Sequence, residues 1–382
     1  MAAMAHSFDI CIRGAGVVGR TLALLAARDR LRVALVAPPP TPALTTPPPK
    51  TDVRAYALNT ASRQLLESLR SWPDAHHATA VTRMEVHGDQ GGSVHFDMAT
   101  QGVDALAWIV DVPALEARLT EAVRFQPQVE TVHAPVEAPL TIVCEGRHSA
   151  TREEFGVDFQ TTPYGQTAIA TRLECEQPHG GVARQWFQAD GVLAFLPLGG
   201  PEGREVAVVW SVPHAQVADL LALSPEEFSA RLADASHHAL GALQLSSDRA
   251  TWPLQQAQAD RWCGPLPGAA GRSWVLAGDA AHNVHPLAGQ GLNMGLGDAQ
   301  ALARILHERD YWRPVGDLKL LRRYERERKA AMWPMGWATD SLQQLFAHPL
   351  NTVQSLRNWG MNSVERSGPL KHWMARQAMG LG

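Results

Sequence analysis

Several things are scarce in this chain of 382 residues. Its four cysteines, Cys11, Cys144, Cys175 and Cys263, lie far apart without a C-x-x-C pair. That spacing argues against a disulfide framework or a zinc site and reads as small buried hydrophobes. Charge of one sign is equally scarce: 34 Lys and Arg face 38 Asp and Glu, a formal net charge of −4. Nothing in that balance draws the chain to nucleic acid. No apolar run approaches the roughly 18 residues a membrane-crossing helix needs. The opening MAAMAHSFDIC has neither the basic region nor the apolar stretch of a secretion signal. A cytoplasmic protein is expected, with any contact to the inner membrane peripheral. Hydrophobic content of 45% and charged content of 19% suit a globular enzyme with one large core or two domains.

What is present concentrates in Leu276–Gly297, LAGDAAHNVHPLAGQGLNMGLG. A strand over Ser273–Ala277 runs into Gly278-Asp279, and a helix opens near Gly291. Gly289 and Gly291 lack Cβ, so a flat ligand can approach the backbone. The helix end behind them offers N–H groups and a positive dipole to an anion. Asp279, just after the strand, is placed to accept hydrogen bonds from a polyol. A reduced flavin needs this pairing of a carboxylate for its ribityl chain with a helix end for the charge at N1 and C2=O.

The other half of a dinucleotide site stands at the start. Phe8–Ile12 reads as a buried strand, an apolar helix follows through Ala27, and Leu31–Val36 forms a second strand. Between strand and helix lies G-x-G-x-x-G, with Gly14, Gly16 and Gly19 at the fixed positions. The first two permit the turn and the approach of a pyrophosphate, and Gly19 lets helix and strand pack. The acidic residue that normally ends the second strand and binds the adenosine ribose is replaced by Ala37, ahead of a Pro-rich run. Weakened retention of FAD is expected.

At these residues the chain resembles the class A flavoprotein monooxygenases, and within them the ubiquinone-biosynthesis hydroxylases. The family pattern GD-A-A-H…HP-x-x-GQG-x-N-x-G-x-x-D is matched from Gly278 through His282, His285, Pro286, Gln290 and Asn293 to Asp298. Three further segments carry the likeness: Asp52–Leu58 (D-x-R-A-x-A-L), Phe195-Leu196-Pro197-Leu198, and the C-terminal Gly368–Gly380. The resemblance implies that Pro286 and His285 border the reacting edge of the flavin. It places the N–H groups of Leu292 and Asn293, with Gly289, Gln290 and Gly291, near N1 and O2, and Arg54 at the diphosphate. The H-x-x-H of His282 and His285 has no third ligand in sight, so no metal is assigned. Two departures accompany it. Cys144-Glu145-Gly146 stands where the family has Ala-Asp-Gly, with Ser149 and Arg152 in register. The stretch Phe125–Leu140 is short, which implies a trimmed FAD domain.

The implied fold is α/β: a Rossmann-like FAD-binding domain with an inserted antiparallel β-sheet substrate domain and a helical C-terminal tail. Its expected parts are residues 1–70, 101–154 and 262–318 for the FAD-binding domain. Residues 71–100 and the β-rich 155–261 make the substrate domain, and 319–382 the C-terminal helices. The charge-dense Leu321–Trp333 interleaves acid and base on a solvated helix face, while most of the tail is expected to pack onto the FAD domain. The implied reaction is ring hydroxylation of a polyprenylated phenol in ubiquinone biosynthesis, through O2 carried as a flavin C4a-hydroperoxide, with NADPH or NADH docking transiently. A small soluble aromatic is an alternative substrate. A non-catalytic role beside other quinone-biosynthesis proteins is a third reading. Oligomeric state stays open.

Overall fold

The computed structural model describes residues 8–38, 52–88, 92–188, 191–200, 202–283 and 290–347, the last with side chains through 332. His285, Pro286, Gly289, the Pro-rich 39–50 and the tail beyond 347 lie outside the described residues.

The chain begins with β1 (Ile10–Arg13), α1 (Val17–Arg28) and β2 (Val33–Val36). β1 and β2 are parallel, pairing Ile10 with Val33 and Arg13 with Val36. Their apolar side chains, Ile10, Ile12, Val33 and Leu35, are buried against α1, as a strand covered by a helix requires. Gly14 makes the exit turn at φ +107, and a Cβ there would lie 2.4 Å from the Cys144 carbonyl oxygen. A Cβ on Gly19 would lie 1.9 Å from the carbonyl oxygen of Gly14 itself.

Next come β3 (Ala55–Leu58), α2 (Thr60–Ser68), β4 (Ala78–Val81), β5 (Arg83–His87), β6 (Ser93–Asp97), α3 (Met98–Gln101), β7 (Ala107–Asp111) and α4 (Val112–Arg124). Asn59 caps α2 through the Ser62 N–H, and Asp111 caps α4 through the Ala114 N–H with proline in the first turn. Strands β3, β7 and β4 form a small sheet of their own, with β7 in the middle. Trp108 lies inside β7.

Strand β8 (Val129–Val132) then joins β2, and β9 (Leu140–Val143) joins β1, both parallel. Residues 133–139 link them without a further strand. After the short α5 (Ala150–Glu154), the long β10 (Phe159–Cys175) opens an antiparallel sheet with β11 (Val182–Phe187), β12 (Val192–Pro197) and β13 (Glu205–Pro213). Helices α6 (His214–Ala222) and α7 (Pro225–Ala235) follow, then β14 (Leu243–Leu245), β15 (Ala250–Ala259), β16 (Cys263–Pro265) and β17 (Ser273–Leu276). β16 and β17 complete the first sheet, whose order is β16-β17-β9-β1-β2-β8.

The antiparallel sheet has two unlike faces. Ile169, Leu173, Trp186, Leu193, Phe195, Val208 and Trp210 point to one side and bury themselves with Leu220, Phe228 and Leu232 of α6 and α7. The aromatic residues Trp186, Phe195 and Trp210 are therefore core. On the other face the register brings Ala168, Ala170, Ala194, Val209 and Ser211 together. Farther along that face Ala207 packs on Val81 and Ile109 of the small sheet.

The chain closes with β18 (His282–Asn283), α8 (Gly291–His307) and α9 (Leu318–Ala347). β18 pairs with β15 through Ala257 and Gln258, so the substrate sheet is hydrogen-bonded to the segment leading into residue 284. The start of α9 packs against the parallel sheet: Leu321 and Tyr324 are fully buried, and Tyr324 donates to the Leu276 carbonyl at 3.1 Å. No helix among the described residues is long and apolar enough to cross a membrane.

Candidate functional site

Two helix ends converge where the parallel strands finish. α1 begins at Gly16 and α8 at Gln290, and neither has a side-chain cap or an acidic residue in its first turn. Helix starts of this kind keep N–H groups available for an anion. Among the described residues, a Cβ built on Gly16 or on Gly291 meets no atom within 4 Å. These two glycines border open space, whereas Gly14 and Gly19 are hemmed in by backbone. The helices lie side by side: a Cβ on Gly295 would come within 2.8 Å of Val18 Cγ2. One cradle thus has two anion-receptive ends.

Between them stands the turn after β17. Gly278 takes φ +64 and begins a short 3-10 turn through Ala280. Asp279 opens on the cleft, yet crowding by the surrounding protein pushes its carboxyl up, with Asp298 adding to the rise. His282 and Arg147 oppose that shift. Since its surface stays open, the penalty is that of a recess, which a polyol's hydroxyl donors would relieve.

The turn is held from behind by Asp298, which is fully buried. It accepts from the Gly278 N–H at 2.9 Å, His282 Nε2 at 2.6 Å and Arg328 Nε at 2.7 Å. Burial alone would raise its carboxyl; His282 and Arg328 outweigh burial and hold it below its ordinary value. His282 stacks on Trp262, with ring centroids 5.0 Å apart. Its imidazole is committed to that buried contact.

The Asn293 side chain is held within the protein. Its Oδ1 accepts from the Asn59 N–H at 3.0 Å and Ser62 Oγ at 2.7 Å. Its amide donates to the Ala57 carbonyl at 2.8 Å and Gln290 Oε1 at 3.1 Å. The side chain ties β3 and α2 to the start of α8, leaving the backbone N–H groups of Leu292 and Asn293 for a ligand. Arg54 is likewise engaged by protein: its guanidinium grips Asp52 through Nε at 2.9 Å and Nη2 at 2.6 Å, and reaches Glu116 at 3.4 Å. The Asp52 hydrogen bond holds the guanidinium firmly protonated.

The Glu145 departure has a local explanation. Its longer side chain folds onto the start of α5, accepting from Ser149 Oγ at 2.8 Å, Thr151 Oγ1 at 2.7 Å and the Thr151 N–H at 3.2 Å. Arg13 Nε adds a contact at 3.1 Å. Burial would raise this carboxyl, but these donors and the Arg13 charge bring it below its ordinary value. Arg152, nearly buried, joins this loop to the flavin-side turn. It donates to the Ala280 carbonyl at 3.1 Å and the Arg147 carbonyl at 2.9 Å, and stacks on Phe159.

Ala37 follows β2, its N–H donating to the Val132 carbonyl at 2.9 Å. No carboxylate stands at this position. Restoring one, Ala37→Glu, is expected to tighten FAD binding about tenfold, the lower end of a charge-assisted hydrogen bond. Flavin fluorescence titration of the variant against the parent checks this, and an unchanged dissociation constant would place the adenosine elsewhere.

A family model described as an FAD binding domain matches residues 110–337. A ubiquinone hydroxylase, UbiL, of Rhodospirillum rubrum is 31% identical over 97% of this chain and 89% of its own length. The 3-demethoxyubiquinol 3-hydroxylase of Escherichia coli is 30% identical over 98% of each. The chain belongs to the FAD-dependent ubiquinone hydroxylase family. Among solved structures, PqsL of Pseudomonas aeruginosa, a probable FAD-dependent monooxygenase, superposes with a TM-score of 0.71 at 23% identity, covering 93% of this chain and 99% of that one. That likeness concerns the fold.

This family member carries a site that fits FAD. The open faces of Gly16 and Gly291, the two uncapped helix ends and Asp279 supply donors for the diphosphate and pyrimidine edge and an acceptor for the ribityl chain. Three residues that brace this cradle have no ligand-facing role, and their part in it shows only in the structure. Asp298 was legible as a matched position without a purpose, while Arg328 and Arg13 left no signal a pattern could carry.

Proposed function

We propose that this protein hydroxylates the aromatic ring of a polyprenylated phenol in ubiquinone biosynthesis, with NADPH or NADH as reductant. The observation that carries the reading is near-full-length similarity at 30–31% to two ubiquinone hydroxylases. FAD, when bound, supplies the oxygen-activating chemistry; the protein binds, orients and shields. Asp279 holds the ribityl chain, and the starts of α1 and α8 take the negative charge at the diphosphate and the N1 edge. Pro286 and His285 are the residues that the family resemblance assigns to the reacting edge. An apolar substrate of this kind has to be drawn from lipid, which favours peripheral contact with the inner membrane.

The test is NAD(P)H oxidation by FAD-loaded protein with a short-chain prenylated phenol and, separately, with the same phenol lacking the prenyl group. Stimulation by the prenylated compound with a mass gain of one oxygen is expected. Stimulation by the unprenylated phenol alone would move the substrate to small soluble aromatics, and stimulation by neither would leave a non-catalytic role.

A further inference from the structure

We propose that Arg328, on the C-terminal helix, is a positioning residue for FAD: through Asp298 it sets the turn that presents Asp279 to the cofactor. This rests on the flavin site and not on the identity of the hydroxylated substrate.

One guanidinium meets three parts of the cradle. Its Nε donates to Asp298 at 2.7 Å, and the same carboxylate holds both the Gly278 N–H before Asp279 and the His282 ring of β18. Its Nη2 donates to the Met294 carbonyl in the first turns of α8 at 3.3 Å. Gly297 makes this crossing feasible, since a Cβ there would stand 3.1 Å from Nη2. Asp298 is 0% exposed and Arg328 only 14%, so water cannot stand in for either partner. The rest of α9 is moored around them. Tyr324 donates to Leu276 at the end of β17, and Lys329 Nζ reaches the Asp260 carbonyl at 2.8 Å. A forked donor that bonds a carboxylate and a carbonyl together cannot be replaced by a single-point cation without loss.

Physically, the consequence is a dependence of FAD binding on a helix that braces the cradle from behind. Removing the guanidinium leaves a buried carboxylate with one cationic partner fewer, and the Gly278–Asp279 turn shifts to recover solvation. Asp279 then meets the ribityl chain off its proper geometry.

The experiment compares Arg328→Met, Arg328→Lys and Lys329→Met in the full chain, measuring the FAD dissociation constant, the visible band of bound flavin and the melting temperature of apoprotein. Arg328→Met is expected to weaken FAD about tenfold and move the band toward free FAD. Arg328→Lys is expected to recover most of the affinity but only part of the band position. Lys329→Met, which loosens the same helix without touching Asp298, is expected to lower the melting temperature while binding FAD as the parent does. FAD binding by Arg328→Met within twofold of the parent would overturn the proposal, as would equal loss in Lys329→Met. Should Arg328→Met not fold, Arg328→Lys against Lys329→Met decides: a parental band and affinity in Arg328→Lys overturns it.

Discussion

Gly16→Val is expected to leave the apoprotein folded and to weaken FAD binding by about a hundredfold, near 2.7 kcal/mol. A Cβ at Gly16 meets no atom of the described residues within 4 Å, so the new side chain has room in the cleft. It would stand where a diphosphate must come to reach the N–H groups at the start of α1. Displacing the anion from those donors loses one or two charge-assisted hydrogen bonds, each worth about 1.5–3 kcal/mol. The helix itself loses roughly 1 kcal/mol, because valine is a poor N-cap. Flavin fluorescence titration and a melt of the apoprotein separate the two effects. Parental FAD affinity would mean that the diphosphate does not cross Gly16.

Three residues further on, the same motif yields the opposite result. Gly19→Ala adds one methyl group that would lie 1.9 Å from the Gly14 carbonyl oxygen and 3.5 Å from Cys144 Cβ. The obstructing atom is backbone at the tight turn out of β1, so no side chain can swing aside. Either α1 withdraws from the sheet or the Gly14 turn opens, and both expose core around Val17 and Leu22. A loss of roughly 3–5 kcal/mol is expected, larger than ordinary overpacking because the contact is with main chain. That corresponds to a fall of the order of 10 °C in melting temperature. The measurement is thermal unfolding of apoprotein by circular dichroism. A melt within a degree or two of the parent would show the turn to be pliable and the glycine to serve the ligand alone. Read together, the two variants split the motif into a ligand-facing and a packing glycine.

Much of the site was legible before any coordinates. The glycines at 14, 16, 19 and 291, the acid at 279 and the helix starts are backbone matters. Residues adjacent in the chain settle where Cβ is missing, where a strand ends and where N–H groups go unpaired. A pattern records residue type and not direction. Asn293 matches the family position, but its amide and carbonyl are consumed by Ala57, Asn59, Ser62 and Gln290. Arg54 matches as well, with its fork closed on Asp52. Glu145 went the other way: a departure from the motif proved to be a self-contained bond to Arg13 and the start of α5.

Local chemistry along the chain thus decided the strand–glycine–helix cradle and the kind of ligand it receives. A turn, a helix start and a missing side chain depend on neighbours a few residues apart. What only the folded molecule decided was which charges are spent on which. The approach of Arg328 to Asp298 across 30 residues, of Arg13 to Glu145 across 132 and of Asn293 to Asn59 across 234 has no counterpart in spacing or period. Those pairings arise when sheets and helices are brought together, because a buried charge or amide must find its partner wherever packing places one.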